Sequence, residues 1–272
     1  MTSPSSLAGL DPIRVRQTLL DAAEAAATHT MPRFRTALAV DNKWSQGFDP
    51  VTEADRQAEI AVRDLIASRF PDHGIIGEEW DEKATKGRFQ WIVDPIDGTR
   101  AYISGVPVWG TLIGLMIDGR AAAGLMAQPF TGETFLAMPG NAEFRRHDQT
   151  RPLHTSNITQ LSQAKLTATT PDLFAKTDTE NAWNALRSKV LQTRYGLDCY
   201  GYCLLAAGHI DLVVEAGLKD VDICPLIPLI ENTGGIVTTW DGGHAEKGGN
   251  CVAAATRELH DAALKVLRDA QT

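Results

Sequence analysis

Cysteine is scarce in this chain, and basic charge is outnumbered. Four cysteines stand in 272 residues, at Cys199, Cys203, Cys224 and Cys251. No two form a CxxC pair, and none has a histidine at zinc-finger spacing. Neither a disulfide framework nor a structural zinc site is indicated, and the four read as reduced thiols, some of them in the core. Lysine and arginine number 26 against 34 acidic residues, a formal net charge of −8. That excludes the basic footprint of a nucleic-acid binder. No apolar run reaches the roughly 18 residues needed to span a bilayer. The opening MTSPSSLAGLDP has no basic stretch leading into an apolar one, as a secretory leader would. A cytoplasmic protein with no nucleic-acid or membrane partner is the expectation.

A signature of covalent acyl chemistry is missing too. There is no GxSxG elbow, which argues against a serine nucleophile. The seven histidines are scattered without HExxH or HxH, which argues against zinc catalysis. The runs Gly242-Gly243 and Gly248-Gly249 are followed by no P-loop lysine.

What is present describes a folded enzyme-sized domain. Hydrophobic residues at 43% and charged residues at 22% suit a packed core. With no repeat or long linker, residues 1–272 read as one domain with approximate lobes 1–150 and 151–272. Asp11-Pro12 predicts a capped helix over 11–30, with Leu19, Ala22, Ala23 and Ala26 as its apolar stripe. Residues 41–50 read as loop or hairpin, and a second helix runs from Thr52 to before Pro71 with Ile60, Leu65 and Ile66 near one face. QWIVD (90–94) is a buried strand that Pro95 stops. Strands follow at 108–117, 121–128 and 134–137, the first two joined by the Asp118-Gly119 turn. Beyond them come helix 179–189, strand 190–194, helix 198–207, strand 210–215, helix 222–233 ending at Gly234-Gly235, strands 236–239 and 251–255, and helix 257–269. Layered sheets and helices sharing one cleft follow from this mixture.

The chemistry concentrates in acidic segments. Asp94-Pro95-Ile96-Asp97-Gly98-Thr99 sets one carboxylate at a strand end and another three residues later, across a turn that Pro95 and Gly98 tighten. Such a pair can hold one or two hard divalent cations. Thr99 then opens a helix whose N–H groups suit a phosphate. Three further segments belong with it: Gly77-Glu78-Glu79, Val51-Thr52-Glu53-Ala54-Asp55, and Asp220-Val221-Asp222. Taken singly, each has a plainer reading, as a solvated acidic turn, a capping box or an N-cap.

Together, in this order and spacing, they resemble the inositol monophosphatase family of lithium-sensitive, magnesium-dependent phosphatases. WIVDPIDGT is the most specific piece. The resemblance implies an α+β fold, an αβαβα layered sandwich, and commonly a homodimer. It implies that Glu78, Asp94, Asp97 and the Ile96 carbonyl hold a first magnesium or bridge to a second. Asp222 joins Asp94 and Asp97 at that second ion, and Asp55 anchors a weaker third through water. Two or three Mg2+ ions per site are thus expected, with Mn2+ possible. Two ions can neutralise a phosphate monoester dianion, orient it and activate a water for in-line attack. Glu78 would position or deprotonate that water, Thr99 with Asp55 sharing the role, while the N–H groups of Gly98 and Thr99 hold the phosphate.

Substrate choice falls to residues outside the cluster. Glu215 lies where the family contacts the non-phosphate part of the substrate. Asp198, opening DCYGY, stands where inositol phosphatases usually carry a small residue; an N-cap is its plainer reading. Two carboxylates would suit a cationic leaving group. With Arg100 and Trp109-Gly110-Thr111, the sequence looks most like the histidinol-phosphate phosphatase branch of the family. That branch implies L-histidinol phosphate as substrate, in histidine biosynthesis. Lys43 and Arg194 are candidates near the phosphate, Arg194 also reading as a surface charge. The alternatives are an inositol-1-phosphate or broad sugar-phosphate phosphatase, a 3'-phosphoadenosine phosphatase, and a non-catalytic metal-binding regulatory module.

Overall fold

In a computed structural model, the structure describes residues 3–37, 39–42, 50–175 and 177–270. Asp11 accepts the Ile13 N–H at 3.0 Å and starts helix α1 (Pro12–Thr30). Val15, Leu19, Ala22, Ala23 and Ala26 form its buried stripe. Thr52 caps α2 (Glu53–Arg69) in a capping box with Asp55. The buried face of α2 is carried by Ala54, Ala58, Val62 and Ile66, whereas Ile60 and Leu65 are only half-buried. Small side chains let α2 lie close to α1. The short strands β1 (Val40–Asn42) and β2 (Pro50–Thr52) pair antiparallel, as the hairpin reading of 41–50 anticipates. Lys43 lies outside the described residues.

A seven-stranded sheet follows in the order β3 (Gly74–Gly77), β4 (Phe89–Asp97), β5 (Gly110–Ile117), β6 (Arg120–Gln128), β7 (Glu133–Met138), β8 (Asn141–Arg146), β9 (Gln149–Pro152). Only β3 and β4 are parallel. Pro95 does not end the WIVD strand. Asp94 pairs with Leu112 and Asp97 with Gly110, so three steps on β4 match two on β5. This bulge takes up the residue that lacks a ladder N–H. The helix α3 (Thr99–Ile103) follows at once.

The second sheet has five strands, in the order β11 (Gln192–Tyr195), β10 (Lys165–Ala168), β12 (Leu212–Leu218), β14 (Gly249–Ala254), β13 (Ile236–Thr239). Its first three strands are parallel and the rest antiparallel. Period-two alternation divides its two faces. Val213, Cys251 and Ala253 join α5 (Asp198–Ala206) and the seven-stranded sheet in one core. Leu212, Val214, Val252 and Ala254 pack on α4 (Glu180–Arg187) and α8 (Arg257–Asp269). A third core joins α1 and α2 to the outer face of the large sheet. The order of layers is helix, sheet, helix, sheet, helix, the α+β sandwich expected.

One expected helix, 222–233, is broken. Helices α6 (Asp220–Ile223) and α7 (Ile227–Glu231) flank Pro225, which cannot donate within a helix. The kink presses on the large sheet so closely that a Cβ on Gly124 would lie 1.9 Å from the Pro225 carbonyl oxygen. All four cysteines are free and buried, and no described helix is long and apolar enough to cross a membrane.

Candidate active site

Alternation along β4 aims its acid. Trp91 and Val93 enter the outer core under α1 and α2. Ile92 and Asp94 therefore face the opposite way, and Ile92 meets Val221 and Cys224 there. Asp94 is buried, and its Oδ1 accepts the Ile96 N–H at 3.0 Å. Past the bulge, Asp97 Oδ2 accepts the Cys199 N–H of α5 at 2.7 Å. Asp222 Oδ2 accepts the Lys219 N–H at 2.8 Å, which fixes it in the first turn of α6. Carboxylate oxygens of Asp94, Asp97 and Asp222 lie within 4.8 Å of one another.

Glu78 follows β3 and reaches the same cleft. Its loop is tied down by Glu59 on α2, which accepts the Glu79 N–H at 2.7 Å and pairs with Arg63 at 2.6 Å. The Lys219 ammonium lies 2.9 Å from Glu78 Oε1. Asp55 is buried, with Oδ2 held by the Thr52 N–H at 2.8 Å and hydroxyl at 2.5 Å. Its Oδ1 is 3.5 Å from the Thr99 hydroxyl, which also donates to the Ile96 carbonyl at 3.0 Å.

The cleft has a volume of about 240 Å3 and gathers residues of both halves of the chain. Its far wall carries Asp198 and Glu215. Glu215 shares the strand face of Val213, so β12 turns it inward. It is buried, and its Oε1 accepts from the Thr169 N–H at 2.7 Å and hydroxyl at 3.0 Å. Thr169 also neighbours Asp198 and helps to hold its carboxyl pKa down, so one residue stands between the two carboxylates. Asp198 adopts a left-handed backbone, φ 47°, at the start of α5. Gly98 faces it: its φ is +82°, and a Cβ there would meet the Asp198 side chain at 3.2 Å.

Electrostatics set this cluster apart. Burial pushes Asp94 and Asp97 well above the usual carboxylate range, and the neighbouring negative charges add to it. Asp222, Asp55 and Asp198 are each raised to about 6, mainly by burial. Burial raises Glu215 to about 8. Converging hard oxygen donors that resist ionisation for want of positive charge fit a divalent cation, which favours their charged forms.

Residues 11–272 match the family model described as the inositol monophosphatase family. The chain belongs to the inositol monophosphatase family. It is accordingly a metal-dependent phosphatase, a phosphoric monoester hydrolase. It is 37% identical to the bifunctional phosphatase IMPL2 of Arabidopsis thaliana, over 97% of this chain and 78% of that protein. It is 34% identical to a histidinol-phosphatase of Chlorobaculum parvum, over 83% of this chain and 86% of that one. The solved inositol monophosphatase of Zymomonas mobilis superposes with a TM-score of 0.84 at 36% identity, covering 95% of this chain and 99% of that chain.

Of the residues expected from sequence, Glu78, Asp94, Ile96, Asp97, Gly98, Thr99, Arg100, Asp198, Glu215 and Asp222 all line the one cleft, and Asp55 lies beneath it against Thr99. Arg194 does not join them: it is an exposed residue of β11, the edge strand of the five-stranded sheet. Three residues escaped the sequence reading. Thr169 is set only by tertiary pairing of β10 with β12. Glu59 sits within a helical pattern like any surface acid. Lys219 stands beside Asp220, and its place at the start of a helix was the available signal.

Proposed function

We propose that this member of the family hydrolyses L-histidinol phosphate to L-histidinol and phosphate, as a step of histidine biosynthesis. The observation that carries the reading is the pairing of Asp198 with Glu215 on the wall facing the carboxylate cluster. A neutral polyol does not need two acids set about one threonine. A leaving group with an ammonium and an imidazole does, because a cation between them restores their ionised forms in a partly desolvated pocket. The names of the histidinol-phosphatase relatives support the same choice.

In this reading Glu78, Asp94, Asp97, Asp222 and the Ile96 carbonyl would hold magnesium, and Asp55 would anchor a weaker ion. Bound there, magnesium would neutralise the ester dianion and lower the pKa of the attacking water. The chain's own groups do the rest. Glu78 orients and deprotonates the water, and Lys219 beside it limits how far the Glu78 carboxylate can swing. Thr99, tied to Ile96 and close to Asp55, offers its hydroxyl to the same water. The Gly98 and Thr99 N–H groups, with Arg100 at the rim, seat the phosphate. Asp198 and Glu215 hold the cationic part, so the scissile P–O bond lies between the two acidic groups. Four buried thiols agree with a cytoplasmic protein. A homodimer is the assembly proposed, to be checked by sedimentation.

The test is removal of one charge from the wall. Asp198→Ala should lower the ratio of kcat/KM for histidinol phosphate to that for glycerol 2-phosphate by about tenfold, about 1.4 kcal/mol, mostly through KM. Equal losses on both esters would remove cation recognition from Asp198.

A further inference from the structure

Behind the cleft lies a small recess of about 20 Å3, walled among others by Tyr202, Glu215, Asp198 and Asp97. Its size is that of a single water, which needs about 10–15 Å3 and two to four polar partners. Two atoms of its walls are buried without a protein partner: the Tyr202 hydroxyl and Glu215 Oε2. Their residues are 3% and 2% exposed. The orphans are complementary. Glu215 uses Oε1 on Thr169 and leaves Oε2 as an acceptor in its ionised form, while Tyr202 has an O–H to give. Burial, with the Glu215 charge adding to it, holds the phenol well above its ordinary pKa, so it stays a donor. A buried donor and a buried acceptor left unmet are both disfavoured.

We propose that the recess holds one ordered water that accepts from the Tyr202 hydroxyl and donates to Glu215 Oε2, making Tyr202 a positioning residue for the leaving-group carboxylate. The second hydrogen of the water points to the Asp97 or Asp198 carboxylate on the same wall. Glu215 is then held at both oxygens, by Thr169 on one side and by Tyr202 through the water on the other. Its plane is fixed before substrate arrives, which reduces the ordering cost on binding. The functional half of this proposal rests on the reading that Glu215 faces a cationic leaving group; the water itself does not.

Two measurements test it. A crystal structure of the magnesium-loaded protein at about 1.2 Å should show one water within about 2.6–3.2 Å of both Tyr202 Oη and Glu215 Oε2. An empty recess, or a direct Tyr202–Glu215 hydrogen bond, would overturn the proposal. Tyr202→Phe should lower the ratio of kcat/KM values on histidinol phosphate and glycerol 2-phosphate by about five- to tenfold, through KM, with the melting temperature recorded alongside. An unchanged ratio would remove the positioning role. If the wild type shows no preference for the cationic ester, the substrate reading fails, and the electron density alone decides whether the recess holds its water.

Discussion

Replacing Asp94 with asparagine should move activity and stability in opposite directions. Asp94 is buried, and its oxygens lie within 4.8 Å of those of Asp97 and Asp222. At that distance and an effective dielectric of about 20, two like charges repel by about 3.5 kcal/mol. The cluster answers by holding protons, which is why Asp94 sits well above its ordinary range. Asparagine keeps the shape and can still accept the Ile96 N–H through Oδ1, but it carries no charge. In chelator, Asp94→Asn should therefore stabilise the fold by about 1–3 kcal/mol, a rise of a few degrees in melting temperature for a chain of this size. In magnesium the same change should remove a ligand, and kcat/KM should fall more than about 100-fold, or about 2.7 kcal/mol. The assays are thermal unfolding with and without chelator and phosphate release under saturating magnesium. Near-normal turnover, or a fold weakened in chelator, would refute the reasoning.

Two further outcomes follow from the same structure. Gly98→Ala forces a side chain into a backbone at φ +82° and against Asp198 at 3.2 Å, so it should cost about 1–2 kcal/mol in stability and cut turnover; a variant with wild-type melting temperature and rate would contradict that account of Gly98. In chelator, the melting temperature should fall as pH rises from 6.5 to 8.5. Glu215, raised to about 8, holds its proton more tightly folded than unfolded across this window, whereas the contribution of Asp55, Asp198 and Asp222, raised to about 6, is largely lost before it. Their contribution is full below the unfolded carboxylate range and is lost as pH climbs through those values. His73 and His260 are lowered by burial, so their contribution fails only below about 6.5 and does not blur that window. A flat profile would show that the carboxylates are already compensated within the protein.

Much of this was written locally in the chain. Asp11-Pro12 and Thr52…Asp55 cap their helices by contacts within three residues, and α8 begins and ends where its apolar spacing does. The DPIDGT turn was legible for the same reason: strand end, bulge and helix start occupy consecutive residues. What the sequence hid depends on distant partners. The pair β8 and β9 is largely polar and lies at a sheet edge, so no alternation marks it. Pro95 looked like a strand end because the bulge that accommodates it is a property of the pairing with β5. The break at Pro225 was readable as a proline, yet the apolar run around it outweighed that signal. In the site, the carboxylates that the structure brings together were legible as a motif. Thr169, which stands between Asp198 and Glu215, was not, since only the meeting of β10, β12 and α5 gives it a role. Arg194, a candidate near the phosphate that also read as a surface charge, is carried by its strand to the edge of the sheet.

The central claim is that one wall of the cleft selects a cationic leaving group while the opposite carboxylates supply the phosphatase chemistry. Phosphate release from L-histidinol phosphate and from myo-inositol 1-phosphate, measured side by side with magnesium and with chelator, tests it most directly. The account predicts a kcat/KM preference for histidinol phosphate above about 100-fold, about 2.7 kcal/mol of discrimination in the transition state, abolished by chelator. Equal rates, or a preference for the inositol ester, would contradict it.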